Sequence, residues 1–354
     1  MMQLEELCRH MVENGASDLH LAVGIPPQLR IDGELYSMDT ETLTPDITKS
    51  LAYSILTEQQ IKEFEQEHEL DMSFGIKGLS RFRVNLFIDR GSVSAAIRTI
   101  PYDVMSFEEL GLPKCVREFA ERPQGLILVC GPTGSGKSTT LAALINKINT
   151  ERRCHVVTIE DPIEYLHQHK QSIVNQREVY SDTHSFAHAL KHILRQDPDV
   201  IMIGEMRDLE TIDAAITVAE TGHLVFATLH SNDATQTINR IVDVFPPHRQ
   251  TQVRTQLSFV IEGVLVQRLL PRKDMNGRVL ALEIMVATPA IRSLIREEKL
   301  HQIYSSISTG GALGMQTMNQ SLYKLYKSGQ ISYEVALESS ANQEDLLRLM
   351  GKGF

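Results

Sequence analysis

The sequence contains no tryptophan, few aromatic residues and four cysteines that show no CxxC spacing. Cys8, Cys115, Cys130 and Cys154 therefore indicate reduced, mostly buried thiols and argue against a disulfide framework or a zinc site. The apolar runs are all too short to cross a bilayer. The start of the chain lacks a basic segment followed by an apolar core, so we predict no signal peptide and expect a cytoplasmic protein.

The sequence also lacks an excess of positive charge, because 35 Lys and Arg stand against 45 Asp and Glu and give a net charge of −10. Such a surface disfavours nucleic acid as a partner, although a local basic groove inside a ring would be compatible with it. The length of 354 residues exceeds a usual single core, and 42% apolar residues are enough to build two. We therefore expect two folded domains.

Residues 1–100 predict a small, mostly antiparallel α+β domain. An amphipathic helix ends at Gly15, and strands follow, with Asp32-Gly33 as a hairpin turn. The predicted strands are 19–23, 28–31, 71–76, 81–88 and 93–100. Pro and Gly residues on both sides of a short helical piece at 106–110 predict a linker over residues 101–113.

Residues 114–287 predict an α/β domain, and residues 288–354 a helical C-terminal extension. Apolar runs that are too short for helices alternate with amphipathic helical segments, which is typical of a doubly wound parallel sheet. The runs are 126–130, 156–159, 200–203 and 224–229. Ligands of such sheets bind beyond the carboxyl ends of the strands, and each of these runs ends in a group that could act on a nucleotide.

The GxxxxGK[ST] pattern of a phosphate-binding loop, or P-loop, follows the first of these runs. It comprises Gly131, Pro132, Thr133, Gly134, Ser135, Gly136, Lys137, Ser138 and Thr139. The glycines permit a tight turn whose N–H groups point at a phosphate, and the following helix adds its positive dipole end. We expect Lys137 to contact the β and γ phosphates of ATP and the Ser138 hydroxyl to bind Mg²⁺.

A P-loop hydrolase also needs a carboxylate that orients or deprotonates the attacking water, usually at the end of a strand beside the P-loop strand. Glu205 is the best candidate, with Gly204 where an Asp is usual. Glu160, at the end of the second run, could hold Mg²⁺ through water or polarise the nucleophile. Ser138, Glu160 and Glu205 are thus the candidate metal ligands. The roles of the two glutamates could be exchanged, and either could instead cap a helix.

Histidines occur in two noteworthy places. His230 follows the fourth run, where it could sense the γ phosphate as a hydrogen-bond donor or serve as a structural residue. His184, His188 and His192 share one helix face at a spacing that can hold zinc. The opposite face is apolar and no Cys lies at ligand spacing, so we favour a solvated or intersubunit face and expect no zinc.

Arginines mark the first domain. Arg81 and Arg83 alternate onto the same face of one predicted strand, and Arg98 lies on another. Such side chains usually form solvated ion pairs. They are also what a transition-state arginine supplied by a neighbouring domain or subunit would require.

Four motifs, in this order, are similar to those of the secretion ATPase superfamily. GPTGSGKST at 131–139, TIEDPIE at 158–164, LRQDPDVIMIGEMRD at 194–208 and TGHLVFATLH at 221–230 resemble its Walker A motif, Asp box, Walker B motif and His box. Within this superfamily, the chain most resembles the type IV pilus retraction ATPases over essentially its whole length. ASDLHL at 16–21 and AIRSLIRE at 290–297 agree with that resemblance.

The resemblance implies a homohexameric ring in which a PAS-like N-terminal domain precedes a RecA-like motor domain. It implies an ATP-hydrolysing motor for pilus retraction and twitching motility, with Glu205 as the essential Walker B residue and Arg83 and Arg98 reaching the nucleotide. The family ties the motif at 290–292 to retraction more than to hydrolysis. The implied partners are a PilC-like platform protein and a PilU-like paralogue, which places the protein at the inner face of the inner membrane.

Related activities remain as alternatives. Pilus extension and type II secretion ATPases carry a long extra N-terminal region and a four-cysteine zinc insert, and neither is found in this sequence, which favours retraction over assembly. A PilU-like accessory subunit with weak or no hydrolysis is one alternative. A RecA-like nucleic-acid translocase is another, and the net acidity of the chain disfavours it.

Overall fold

The structure is a computed structural model that describes residues 3–31, 33–100, 103–274 and 277–351. The chain divides into two units, Met1–Asp103 with Glu164–Leu166 and Val104–Ile163 with His167–Phe354. Asp32 of the predicted hairpin turn lies outside the described residues. So do the first two residues of the predicted linker, Pro101 and Tyr102.

The first unit is an antiparallel sheet with three helices. Its strands are β1 (Asp18–Leu21), β2 (Gln28–Ile31), β3 (Glu34–Ser37), β4 (Glu69–Ile76), β5 (Ser80–Asp89) and β6 (Ser92–Ile100). Its helices are α1 (Leu4–Glu13), α2 (Pro45–Tyr53) and α3 (Glu58–Glu67). The strand order is β3-β2-β1-β6-β5-β4. The predicted helix and strands of this unit are confirmed, whereas β3, α2 and α3 were not predicted.

Strand alternation separates the two faces of this sheet. Phe82, Val84 and Leu86 of β5 are fully buried in the core that the three helices cover. Arg81 and Arg83 point to the other face. The predicted α+β character of this unit and the shared face of its two β5 arginines are therefore confirmed.

The helical piece predicted at 106–110 is wrong as a helix, since the structure has a hydrogen-bonded turn there. The Leu110 N–H donates to the Ser106 carbonyl oxygen at 3.1 Å, and the chain then reverses at Gly111, where φ is 67°. A left-handed residue followed shortly by Pro113 ends the segment after a single turn.

The second unit has a seven-stranded sheet flanked by helices. Its strands are β7 (Gly125–Cys130), β8 (His155–Glu160), β9 (Ile173–Glu178), β10 (Val200–Ile203), β11 (Leu224–Leu229), β12 (Ile261–Pro271) and β13 (Arg278–Val286). The order is β13-β12-β7-β11-β10-β8-β9, and all pairs are parallel except β12 with β13. The four predicted runs are β7, β8, β10 and β11, and the doubly wound parallel sheet is confirmed.

Helices cover both faces of this sheet. They are α4 (Lys114–Phe119), α5 (Lys137–Glu151), α6 (Phe186–Ile193), α7 (Leu209–Glu220), α8 (Ala234–Asp243), α9 (Pro247–Val260), α10 (Pro289–Arg296), α11 (Ile303–Thr309), α12 (Met318–Lys327), α13 (Tyr333–Glu338) and α14 (Gln343–Leu349). Side-chain caps fix where several of them begin. Asp208 accepts from the third residue of α7, and Asp233 does the same for α8.

Candidate nucleotide site

The P-loop joins the fully buried strand β7 to helix α5. Gly131, Gly134 and Gly136 have φ angles of 141°, 75° and 87°, a region in which only glycine is unstrained. A Cβ on Gly131 would lie 2.4 Å from the carbonyl oxygen of Gln267, so the loop packs on β12 too closely for any side chain. The N-terminus of α5 therefore lies at the carboxyl end of β7, where the helix dipole favours an anion.

The polar groups of this loop fit a phosphate. Lys137 Nζ donates to the carbonyl oxygens of Gly131 and Pro132, at 3.0 Å each. Ser135 is 2% exposed, and its Oγ has no hydrogen-bond partner among the described residues. A buried hydroxyl without a partner is costly, which indicates a polar group that the loop is shaped to accept.

Glu205 follows β10 and is held by two basic side chains. Its Oε2 accepts a hydrogen bond of 2.8 Å from Arg207 Nη2, and its Oε1 lies 3.2 Å from His230 Nε2. Burial raises the pKa of Glu205, but the Arg207 hydrogen bond and the charges of His230, Arg207 and Lys137 outweigh burial, so this pKa is below its usual range. The Glu205 carboxylate is therefore ionised at neutral pH.

Close packing around Gly204 explains why a glycine, and not an Asp, precedes Glu205. A Cβ on Gly204 would lie 3.2 Å from the Ile159 carbonyl oxygen and 3.3 Å from Glu160 Cα, closer than most Cβ contacts in proteins. The Gly204 N–H donates to the same Ile159 oxygen at 2.7 Å. The end of β10 therefore approaches β8 too closely to carry an Asp without a backbone shift.

Glu160 is the last residue of β8 and is 7% exposed. One of its carboxylate oxygens, Oε1, accepts hydrogen bonds from Thr158 Oγ1 at 2.5 Å and from Gln176 Nε2 at 3.1 Å. These two donors are neutral, and they fix the orientation of the carboxylate. Carboxylate and hydroxyl oxygens are the ligands that Mg²⁺ prefers, so Glu160 and Ser138 fit such an ion chemically.

His230 follows β11 in a turn that is bound to helix α8. Its carbonyl oxygen accepts a hydrogen bond of 2.6 Å from Arg240 Nη1, and Ser231 Oγ lies 2.7 Å from Thr237 Oγ1. Beside this turn, His230 and the polar face of α8 line an open cavity of about 520 Å³. The structure thus brings His230 to Glu205 through a contact that the sequence did not predict.

The strands that carry these groups are consecutive in the sheet. The order β7-β11-β10-β8 places the P-loop, His230, Glu205 and Glu160 at the carboxyl ends of neighbouring parallel strands. The expectation that Glu205 follows a strand beside the P-loop strand is wrong, because β11 lies between β7 and β10. The chain crosses over from β10 through α7 and fills that place with β11.

Three side chains at the site were missed by sequence reasoning. Arg207 donates a hydrogen bond to Glu205, and its position two residues after that glutamate is the feature of the sequence that could have indicated the contact. Gln267 donates from Nε2 to Thr140 Oγ1 at 2.7 Å behind the P-loop, and its signal was a Gln within an apolar run. Thr158 orients Glu160 from two residues earlier, on the same face of β8.

Arg83 and Arg98 belong to the first unit, where they lie in one row across the sheet. The register pairs Arg30 with Asp18, Asp18 with Arg98, and Arg98 with Arg83. Arg98 Nε donates to Asp18 Oδ1 at 2.7 Å, while its side chain stays 67% exposed. Asp71 lies 4.0 Å from Arg83. Three arginines thus share one face with the buried Asp18 and the exposed Asp71, which leaves an excess of one positive charge among these five side chains.

Burial of Asp18 acts to raise its pKa, but hydrogen bonds from Arg98 and Ser17 and the charge of Arg98 outweigh burial. The pKa of Asp18 is therefore below its usual range. An ionised Asp18 holds Arg98 by its Nε and leaves the outer end of the guanidinium exposed to solvent.

The histidine stripe is exposed. The rings of His184, His188 and His192 follow one another with centroids 5.1 Å and 5.0 Å apart. In the part of the chain that the structure describes, no group of three or more His, Cys, Asp or Glu side chains is arranged to hold a metal ion. Among the same residues, no helix has the length and apolar character that crossing a membrane requires.

Comparison with known proteins identifies the family. The family model described as "Type II/IV secretion system protein" matches residues 2–335. The chain is 49% identical to the Pseudomonas aeruginosa protein named "Type IV pilus retractation ATPase PilT", over 97% of this chain and 100% of that protein. It is also 43% identical to "Type IV pilus ATPase PilU" of the same organism, over 99% of this chain and 92% of that protein.

A solved structure agrees with these relatives. The crystal structure of the pilus retraction motor PilT with bound ADP superposes with a TM-score of 0.92 at 53% identity, covering 98% of this chain and 100% of that one. The predicted fold, a RecA-like motor domain preceded by a small PAS-like α+β domain, is confirmed. The chain belongs to the type II/IV secretion system protein family, the family of the type IV pilus retraction ATPases.

Proposed function

We propose that this protein is an ATP-hydrolysing motor that works as a homohexameric ring and powers type IV pilus retraction and twitching motility. The observation that carries the proposal is the position of Glu205. Its ionised carboxylate contacts Arg207 and His230 at the carboxyl ends of the parallel strands, where the P-loop also lies. The similarity to PilT over nearly the whole chain supports the pilus role.

In this proposal the P-loop residues 131–139 bind the phosphates of ATP. Lys137 exchanges its two loop carbonyl contacts for phosphate oxygens, and the buried Ser135 hydroxyl gains a partner. Ser138, with Glu160 and Glu205, would hold Mg²⁺, which when bound neutralises charge on the phosphates. Glu205 accepts a proton from the attacking water, or orients it, and Arg207 keeps Glu205 ionised for that task. His230 donates a hydrogen bond toward the γ phosphate.

The first unit has a separate role in the proposal. The exposed ends of Arg83 and Arg98 bring positive charge to the nucleotide and stabilise the charge that develops in the transition state. The chain is organised as a domain over 1–100, a linker over 101–113 that acts as the hinge, a motor domain over 114–287 and a C-terminal extension over 288–354. Hydrolysis then changes the angle at the hinge.

The partners follow from the pilus role. The ring acts on a PilC-like platform protein at the inner face of the inner membrane, where pilin subunits return to the bilayer. A PilU-like paralogue is a second proposed partner. ATP and Mg²⁺ are the proposed cofactors, and neither nucleic acid nor zinc takes part.

A second candidate function is that of a PilU-like accessory subunit with weak or no hydrolysis. The 43% identity to PilU over 99% of this chain supports it, because PilU matches this chain over as much of its length as PilT does. The two candidates differ in turnover and not in nucleotide binding.

Mg²⁺-dependent phosphate release by the purified protein, with particle mass measured on the same sample, tests the proposal. We expect turnover by a particle of about six subunits, and loss of turnover in Lys137→Ala. Lys191→Ala removes an exposed lysine whose ammonium lies 3.5 Å from Glu210, and this control should keep full activity. Binding of ATP without turnover in the unsubstituted protein would contradict the motor and support the accessory subunit.

A further inference from the structure

The carboxyl group of Glu283 is buried in the second unit, outside the nucleotide site. Glu283 lies in β13 between Leu282 and Ile284 and is 3% exposed. Burial raises the pKa of Glu283, and hydrogen bonds from the backbone N–H groups of Ala234 and Met318 offset only part of that rise. A buried carboxyl group costs folding free energy, so its contacts must explain why an apolar residue does not occupy this position.

Glu283 connects the beginnings of two helices. Its Oε1 accepts the N–H of Ala234, the first residue of α8, at 2.7 Å, and its Oε2 accepts the N–H of Met318, the first residue of α12, at 3.3 Å. Each helix also has its own side-chain cap, Asp233 or Thr317, which serves the third residue. Glu283 therefore does not replace a missing cap, and an apolar residue in its place would leave two buried N–H groups without acceptors.

The α8 side of this connection leads to the nucleotide site. Ala234 comes directly after the turn that carries His230, and Arg240 of α8 binds the His230 carbonyl oxygen. Ser231 in the same turn pairs with Thr237 of α8. These contacts make the turn and the helix one local unit. The position of α8 therefore sets how His230 meets Glu205.

The α12 side leads to the C-terminal helices. Gln316, just before α12, pairs with Ile284 through two backbone hydrogen bonds of 2.8 Å and 3.2 Å. Its Nε2 also donates to the Leu282 carbonyl oxygen at 3.0 Å. The segment that enters α12 is thus bound to β13 on both sides of Glu283. A displacement of α12 would act on Glu283 directly.

We propose that Glu283 is a positioning residue that couples the C-terminal helices to His230, an inference that rests on the proposed hydrolytic function. A load on α12 is transmitted through the Glu283 carboxylate to the first turn of α8, and from there to the turn that carries His230. The C-terminal helices thereby influence turnover without touching the nucleotide.

Glu283→Gln tests the coupling, because it keeps the side-chain shape but changes one of the two acceptors into an NH₂ donor. Only one of the two helix N-termini can then be bonded. Ser332→Ala is the matched control, since it removes the side-chain cap of α13, a C-terminal helix that Glu283 does not touch. Glu283→Asp, which keeps the charge but is shorter by one methylene, serves if the Gln variant does not fold.

The readouts are kcat, the KM for ATP, the Tm and hydrogen exchange of residues 230–243. We expect Glu283→Gln to lower kcat about tenfold with little change in KM, because a displaced His230 affects the reaction more than ground-state binding. We also expect faster exchange at 230–243. Ser332→Ala should lower the Tm, because it removes a helix cap, and leave kcat and this exchange unchanged.

An unchanged kcat in Glu283→Gln, or an equal loss of kcat in both variants, would overturn the coupling. So would unchanged exchange at 230–243. Hydrogen exchange does not require turnover, so it separates this inference from the proposed function. If the unsubstituted protein fails to hydrolyse ATP, the motor proposal fails, whereas exchange at 230–243 still shows whether Glu283 holds the His230 turn.

Discussion

The ends of strands β8 and β10 each present a glutamate, yet the two carboxylates lie in different surroundings. Glu160 is buried in β8 and accepts hydrogen bonds from the neutral groups of Thr158 and Gln176. Glu205 lies beyond the end of β10, is partly exposed and contacts Arg207 and His230. Two acids that look interchangeable in the sequence thus differ in burial and in these hydrogen-bond partners.

From this difference we propose separate tasks for the two glutamates. A carboxylate locked by a hydroxyl and an amide keeps a defined orientation, which suits a group that positions a ligand or a water. A partly exposed carboxylate beyond the end of a strand, with its pKa lowered by the Arg207 hydrogen bond, is suited to meet an attacking water. We therefore propose the water-activating role for Glu205 and a supporting role for Glu160.

The largest expected effect is that of Glu205→Gln. An amide of the same shape cannot accept the proton, so we expect kcat to fall by about 10²- to 10⁴-fold, the range typical of a lost general base. The KM for ATP should change little, since the P-loop is untouched. Glu210→Gln, which neutralises an exposed glutamate on α7, should leave steady-state phosphate release unchanged. A loss of less than tenfold in Glu205→Gln would place the base elsewhere.

Gly204→Asp tests the geometry that separates the two glutamates. The new Cβ would meet the backbone of Ile159 and Glu160, so we expect a loss of stability of about 1–3 kcal/mol. Chemical denaturation measures this loss, with Gly75→Asp as the control, because nothing lies within 4 Å of a Cβ at that position. A stable, faster enzyme would show instead that an Asp can act beside Glu205.

A smaller effect is expected for Arg207→Gln. The Arg207 hydrogen bond helps to hold the pKa of Glu205 below its usual range, so its removal raises this pKa. Glu205 is then protonated at a higher pH, and the acidic limb of the kcat profile moves upward. Profiles of kcat against pH for both proteins would reveal the shift. Lys191→Gln should not move the limb, and an unmoved limb in Arg207→Gln would mean that Glu205 does not set it.

Local sequence patterns were sufficient for the main strands of the second unit and for the P-loop. Apolar runs such as 200–203 show their burial directly, and a glycine-rich turn before Lys137 has few other uses. Strands β9 and β12 were not predicted. Strand β9 is partly exposed and carries polar residues, and β12 follows α9 without a turn, so neither has clear boundaries in the sequence.

Contacts between distant segments could not be predicted. The pairing of His230 with Glu205 depends on the order of strands in the sheet, which a single sequence does not show. The same holds for the requirement for glycine at 204, because the backbone that a side chain would meet there belongs to β8, more than forty residues earlier. Glu283 carries no such signal in the sequence either, because only the assembled unit brings two helix N-termini to it.

The most direct test of the central claim is a single turnover of bound ATP by the unsubstituted protein, Glu205→Gln and Glu160→Gln, quenched in acid at successive times. We predict that Glu205→Gln retains its ATP intact over the time in which the unsubstituted protein converts it, whereas Glu160→Gln still forms phosphate. Rapid phosphate formation by Glu205→Gln together with intact ATP on Glu160→Gln would contradict the assignment and exchange the roles of the two glutamates.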